Sequence, residues 1–229
     1  MDKNPEINND KIGEDLNNIP VQENPARDFM YFVLDLLKTG VIVFILAFAL
    51  RYFAVQPFIV DGESMESSFV NNEYLLAEKM SYIFSQPKRG DVVVFRYPNN
   101  PSVSYIKRII GLPGETVKIV DKKVMVENIE YPEGKILNEQ YLDQSTITVT
   151  NESNFSVTLG TDEYFVLGDN REHSSDSREW GKLPRKNIIG RAWLTVIPLD
   201  RFGVQKRIQY SVFDKFENKL ALFGAFDFK

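Results

Sequence analysis

Residues Glu115–Ile129 read ETVKIVDKKVMVENI, and the fold class follows from how that stretch alternates. Val117 and Ile119 precede the polar triplet Asp121-Lys122-Lys123, and Val124 and Val126 follow it. Every second residue of a strand faces the same side, so two alternating runs about a polar break predict an antiparallel hairpin with one buried face. Moving outward, short runs of similar character recur: FIV before Gly62, DVVVF after Arg89-Gly90, STITV from Ser145, FSVTL from Phe155 and EYFVL from Glu163. Pro87, Pro98, Pro101, Pro113 and Pro132, with Gly111, Gly114 and Gly134, punctuate the joins. The expectation is a mainly β, antiparallel body without a repeat of fixed period.

Ahead of this body the composition changes twice. Residues 1–28 hold seven acids, three bases and no aromatic residue, which reads as a disordered acidic tail. Residues 29–50, FMYFVLDLLKTGVIVFILAFAL, carry only Asp35 and Lys38 as charges. Their 22 residues suffice to span a bilayer, although the uncharged run from Thr39 is short enough for a buried core helix. Arg27 and Lys38 on one flank against Arg51 on the other favour, slightly, a cytoplasmic N-terminus. Ala47-Phe48-Ala49 matches a signal-peptide cleavage pattern, but a cleavable signal has a short basic leader, and the leader here is long and acidic. At the other end, Phe213, Phe216, Leu220 and Phe223 recur at three- and four-residue steps, as on one apolar face of a helix. Such a helix would pack on the β body or lie on a membrane surface. The expected organisation is therefore a tail over 1–28, an anchor over 29–50, a β core over 51–121 and 164–200, a β-rich insertion over 122–163, and a C-terminal segment over 201–229.

Overall charge and composition exclude several chemistries. Lys plus Arg number 27 against 32 Asp plus Glu, a net charge of −5, so no basic surface for nucleic acid is expected. The chain has no cysteine and a single histidine, His173, which removes thiol nucleophiles, disulfides and multi-histidine metal sites. A nucleophile must then be Ser, Thr, Lys or a carboxylate, and a hydroxyl needs a base.

Three windows hold suitable groups. Asp61-Gly62-Glu63-Ser64-Met65 follows the strand FIV, and Gly62 permits a tight bend that exposes Ser64. In Tyr105–Gly111, YIKRIIG, Lys107 interrupts an apolar strand. Gly168–Arg178, GDNREHSSDSR, is a polar turn after EYFVL. Each alone also reads as ordinary structure: a turn serine, a strand lysine, a solvated loop braced by Asp–Arg pairs.

Taken together and in order, these windows resemble the type I signal peptidases, membrane-anchored Ser/Lys proteases. The resemblance is carried by QPF at Gln56–Phe58, GESM at Gly62–Met65, RGDVVVFR at Arg89–Arg96, YIKRIIGLPGE at Tyr105–Glu115 and GDNREHSSDSREWG at Gly168–Gly181. It implies an N-terminal transmembrane helix followed by an antiparallel β-sheet catalytic domain with a smaller β insertion. By the same resemblance Ser64 is the nucleophile, Lys107 the general base and Ser174 the hydroxyl that orients it. Asp169 with Arg108, and Asp176 with Arg178, are expected to brace the loop, and Met65 is either a substrate-pocket wall or a core residue. The implied substrates are signal peptides of exported preproteins with small residues before the cut, with the lipid bilayer as the other partner and no cofactor. The implied location is a bacterial cell membrane, single-pass, with the catalytic domain on the outer face.

An exposed lysine titrates near 10.4 and is protonated at neutral pH, so Lys107 must be buried to act as a base. The backbone N–H of Ser64 is one oxyanion donor, and with glycine at position 62 the second is unassigned. One departure stands out. Where the family has Met, any residue, Pro, Thr, Leu, this chain has Met65-Glu66-Ser67-Ser68-Phe69, and loss of the proline frees φ at Ser67 and loosens the turn that presents Ser64. Two other readings are weighed: a self-cleaving Ser/Lys repressor-type protease, which needs a basic DNA-binding module where this chain has its acidic tail, and a non-catalytic anchored β-domain adaptor, in which Ser64 and Lys107 need not meet.

Overall fold

A computed structural model describes residues 25–49, 54–150, 152 and 154–210, in two compact units, 1–48 and 49–229. The first unit contributes one helix, α1, Pro25–Ala49. It opens on Pro25, where a fixed φ and a missing N–H cost nothing, so the helix starts four residues ahead of the expected anchor. None of its residues is buried, and Phe29, Phe44 and Leu46 are 64–70% exposed. A core helix needs a buried face, and this one has none. By length and composition it is the one helix among the described residues able to cross a membrane; 25 residues extend about 37 Å against a hydrocarbon core of about 30 Å.

The second unit is built on two antiparallel sheets. Its strands are β1 Val55–Ile59, β2 Tyr74–Glu78, β3 Val92–Tyr97, β4 Asn100–Gly111, β5 Thr116–Val120, β6 Lys123–Glu127, β7 Lys135–Ile136, β8 Ser156–Thr158, β9 Glu163–Leu167, β10 Leu183–Pro184, β11 Ile188–Ile197 and β12 Gly203–Val204. The larger sheet runs β1-β2-β11-β3-β4-β9-β10, with β12 on β11, and the smaller runs β7-β6-β5-β8. The unit also holds two single-turn α-helices, α2 Ser81–Phe84 and α3 Ser177–Trp180, and 3-10 turns at Arg185–Asn187 and Leu199–Arg201.

The hairpin of the opening stretch is β5–β6, closed by Val120 opposite Lys123. Asp121 and Lys122 both have positive φ, 50° and 61°, the backbone of a type I′ turn, whose twist matches that of the flanking strands. The smaller sheet therefore begins at Thr116, and the expected insertion boundary at 122 falls inside its hairpin turn. STITV, expected as a strand, is not one. Thr148 donates a single backbone bond to Lys122 O at 2.9 Å, and its hydroxyl is drawn to Arg171. The expected tail lies outside the described residues up to position 24, as do Leu50 and the C-terminal helix expected beyond Tyr210.

Strand β3 shows why the larger sheet needs a continuous apolar run. Val92 and Val94 enter a core with Val60, Met65, Phe69, Leu75 and Ala192, while Val93 and Phe95 enter another with Ile109, Tyr164, Val166 and Leu183. Both faces of the strand are buried, so alternation disappears. A third core, Ile110, Val117, Val124, Val126, Leu137, Phe155 and Phe165 among others, joins the smaller sheet to β4 and β9. At that junction Arg89 is 1% exposed and donates to Glu115 Oε1 at 2.6 Å and to the Ile110 carbonyl. Glu115 also accepts from Leu112 N at 2.8 Å and from Asn128 Nδ2 at 3.1 Å.

Removing one partner of a buried ion pair leaves an uncompensated charge, at a cost of about 3–5 kcal/mol. Glu115→Ala is expected to lower unfolding stability by that amount in denaturant titration of the purified chain, and a loss under about 1 kcal/mol would show that the pair does not secure the junction of the two sheets.

Candidate active site

Ser64 lies in the loop that follows β1, and Lys107 lies on β4, 43 residues later. The loop leaves the strand through Gly62 at φ +95°, where an L side chain would be strained, and Gly62 N donates to Asn71 Oδ1 at 3.0 Å. Lys107 Nζ donates to Ser64 Oγ at 2.7 Å and to the Ile106 carbonyl at 2.9 Å. It also stands 5.4 Å from the centre of the Tyr105 ring.

Lys107 is 3% exposed. Loss of water around the ammonium pulls its pKa down to about 8, against the opposing pull of the Asp176 and Asp169 charges. A lysine in this state supplies a usable fraction of neutral amine near neutral pH, in contact with a hydroxyl that needs a proton acceptor.

The pair opens on a cleft of about 210 Å³ lined by Phe58, Ile59, Val60, Asp61, Leu75, Val94, Ser104, Tyr105, Ile106 and Ser175. Ile106 forms part of the wall, whereas Ile109, on the same strand, packs in a different core. Met65 is fully buried, in the core it shares with Val60, Leu75 and Val94, and it is not among the residues lining the cleft. One side of the cleft follows β1, an edge strand of the larger sheet. The other follows β4 before Arg108, the first residue at which β4 pairs with β9.

The polar turn after β9 is brought against Ser64. Asn170 N donates to the Ser64 carbonyl at 3.1 Å. A Cβ on Gly168 would stand 2.4 Å from Ser64 O and 2.1 Å from Ser174 Oγ, so only glycine permits this approach. Ser174 packs against Gly168, and its buried hydroxyl has no hydrogen-bond partner among the described residues, so it makes no hydrogen bond to Lys107. Arg108 meets Asp169 in a two-bond fork, Nε to Oδ1 at 2.8 Å and Nη2 to Oδ2 at 2.6 Å, both residues 3% exposed. Arg178 meets Asp176 likewise, at 2.8 Å for both bonds. Asp176 also accepts from Gly168 N at 3.0 Å and caps α3 through Arg178 N. His173 is exposed and belongs to a turn with Asn170.

Two features bear on the departure after Met65. Ser67 has φ +84°, a value closed to proline, whose ring holds φ near −65°. The turn is nonetheless tied down: Phe69 N donates to Met65 O at 2.8 Å, Arg108 Nη2 to Ser68 Oγ at 3.1 Å, and Arg201 Nη2 to Ser68 O at 2.7 Å. Sequence reading did not single out Gly168, Ser68 or Arg171. The first signal was the glycine opening the polar turn, but the contact that demands it comes from a loop about a hundred positions earlier.

Residues 33–197 match the family model described as signal peptidase, peptidase S26. The chain is 36% identical over 191 residues to "Signal peptidase I" of Leptolyngbya laminosa, covering 80% of this chain and 88% of that protein. It is 36% identical over 177 residues to "Signal peptidase I P" of Bacillus subtilis subsp. natto, covering 74% and 91%. A signal peptidase I of Enterococcus faecalis V583 with a solved crystal structure is 30% identical, covering 47% of this chain and 97% of that one, at a TM-score of 0.38. A family match that takes in β1 through β11, with both the Ser64 and the Lys107 windows inside it, means that this chain belongs to the signal peptidases of the peptidase S26 family.

Proposed function

We propose that this chain removes signal peptides from exported preproteins with Ser64 as nucleophile and Lys107 as general base. The observation that carries the reading is the 2.7 Å contact between a buried, pKa-lowered amine and a serine hydroxyl, both lining a mostly apolar cleft. In the first step Ser64 Oγ bonds to the scissile carbonyl carbon while its proton passes to Lys107 Nζ. The tetrahedral intermediate then expels the new amine, which takes that proton, and leaves an acyl-enzyme. Water attacks the ester, Lys107 again accepts a proton, and the proton returns to Ser64 as the acid leaves. The Ser64 N–H is one donor to the oxyanion.

The remaining features support the substrate class. An extended peptide laid between β1 and the first half of β4 would find two unpaired strand edges, whose backbone bonds give affinity independent of sequence. Apolar walls of fixed volume would admit a small side chain and exclude larger ones by overpacking. Asp169 and Arg108, Asp176 and Arg178, and Ser174 act as supports of the loop behind Ser64, and Met65 acts from the core. Helix α1 crosses the bilayer with its N-terminus cytoplasmic, which puts the catalytic unit on the outer face. The adaptor reading does not call for a Ser–Lys contact, and the repressor-type reading needs a basic module where residues 1–28 are acidic, so neither is favoured.

Ser64→Ala and Lys107→Ala are each expected to reduce preprotein cleavage by on the order of 10³-fold or more; a variant processing at the wild-type rate would sink the proposed pair. For the wild type, kcat/KM should rise with pH through one deprotonation at about 8, because only the neutral amine accepts the serine proton. A pH-rate series between 6 and 10 measures this, and a midpoint at the ordinary lysine value would refute it. The same lowered pKa predicts a stability effect. Folding penalises the ammonium, so the penalty is full below about pH 8 and fades as pH rises toward 10.5. Lys107→Met should therefore be inactive yet more resistant to denaturant than wild type at pH 7, with the difference shrinking at pH 10.

A further inference from the structure

Arg171 is the most completely engaged side chain of the polar turn. Its side chain is fully enclosed, and all five of its N–H donors are used. Nε donates to the Gly168 carbonyl at 3.0 Å. Nη1 donates to Glu139 Oε2 at 3.0 Å and to Thr148 Oγ1 at 2.5 Å. Nη2 donates to Glu139 Oε1 and to the Tyr141 hydroxyl, the latter at 3.0 Å. The inner end of the guanidinium thus grips the turn that touches Ser64, and every outer partner comes from the connection between β7 and β8, in the part of the chain that carries the smaller sheet. Tyr141 grips the turn a second time, with its ring 4.5 Å from Arg108, the arginine that holds Asp169.

We infer that Glu139, acting through Arg171, is a positioning residue for the nucleophile: the carboxylate fixes the guanidinium, the guanidinium fixes the Gly168 carbonyl, and the Gly168–Asn170 backbone fixes Ser64. The inference rests on the proposed role of Ser64. The geometry requires each link. Gly168 is in contact with Ser64 O and Ser174, and Asn170 N is bonded to the same Ser64 carbonyl, so a shift of the turn shifts the serine. Arg171 supplies the one side-chain bond to the Gly168 carbonyl among those described, while Asp176 holds the N–H of the same residue from the opposite direction. A carboxylate that meets both Nη groups leaves the guanidinium no freedom to rotate, which a single-point cation would not achieve. Misplacing a reacting group by about 1 Å costs on the order of 10²-fold in rate, so a clamp this far from the chemistry acts on turnover.

The test separates positioning from mere stability. Glu139→Gln, in the full chain purified with wild type and Ser64→Ala as controls, should lower kcat about tenfold to a hundredfold with KM little changed. Its pH-rate profile should keep a midpoint at about 8 and lose height, because the walls around Lys107 are untouched. Replacing the pair together, Glu139→Leu with Arg171→Met, removes both buried charges and should restore denaturant resistance to the wild-type level. The same variant should be at least as slow as the single one, since Arg171→Met removes the bond to the Gly168 carbonyl that Glu139→Gln only leaves unsteadied. Wild-type kcat in the double variant would overturn the inference, as would a Glu139→Gln profile displaced toward the free-lysine value, which would assign the clamp to shielding Lys107. If Ser64→Ala cleaves at the wild-type rate, it is the reading of Ser64 that fails, and the two failures are told apart in one experiment.

Discussion

An amine kept from water is the constraint on which the rest of this molecule depends. Lys107 ends at a serine hydroxyl with 3% of its surface exposed, and burial is the first cause of its lowered pKa. Left in solvent, the same side chain would hold its proton at neutral pH and offer Ser64 nothing. The sheet order answers this need. Strand β4 lies between β3 and β9, so the stretch bearing Lys107 is anchored from one flank while its other edge, before Arg108, faces the cleft.

The low-dielectric surroundings that suit Lys107 are hostile to the charges around it, and the structure resolves the conflict by pairing. Arg108 with Asp169, Asp176 with Arg178, Arg89 with Glu115 and Arg171 with Glu139 are all buried or nearly so on at least one side. Each arginine also reaches a backbone carbonyl: Ile110, Gly90, Gly168 or Val149. Buried ion pairs contribute little net stability relative to apolar packing, but they fix geometry, because breaking one strands a charge. Around Ser64 that directionality matters more than energy. Three chain segments far apart in sequence must agree on the position of one oxygen atom, and paired guanidinium forks define angles where methyl groups would only fill space.

The turn after Ser64 illustrates how a local departure is absorbed. Ser67 holds a left-handed φ that costs a serine of order 1 kcal/mol or more. Bonds from Arg108 and Arg201 to Ser68, together with the Met65 carbonyl bonds, keep the turn in place. Rigidity that a proline would have supplied from within the backbone is here supplied from outside it.

How much was legible in the chain follows from the range of each interaction. The β5–β6 hairpin, the apolar run of β3 and the anchor-like helix were readable because alternation, continuous hydrophobicity and charge depletion are local properties. Strands β2 and β11 were not anticipated: YLLAE does not alternate, and β11 shifts register more than once against its neighbours, which scrambles the inside–outside pattern. STITV had a strand-like composition but found its partners in a hairpin turn and a buried arginine. The motifs around Ser64, Lys107 and Gly168 identified the family and the residue types on their own, since residue identity and order are carried by the chain. Their meeting, the burial of Lys107, the seat of Ser174 against Gly168 and the Glu139–Arg171 clamp were decided by the tertiary structure alone, because a contact between residues 32 or 43 positions apart, and the water it excludes, exists only once the sheets have packed.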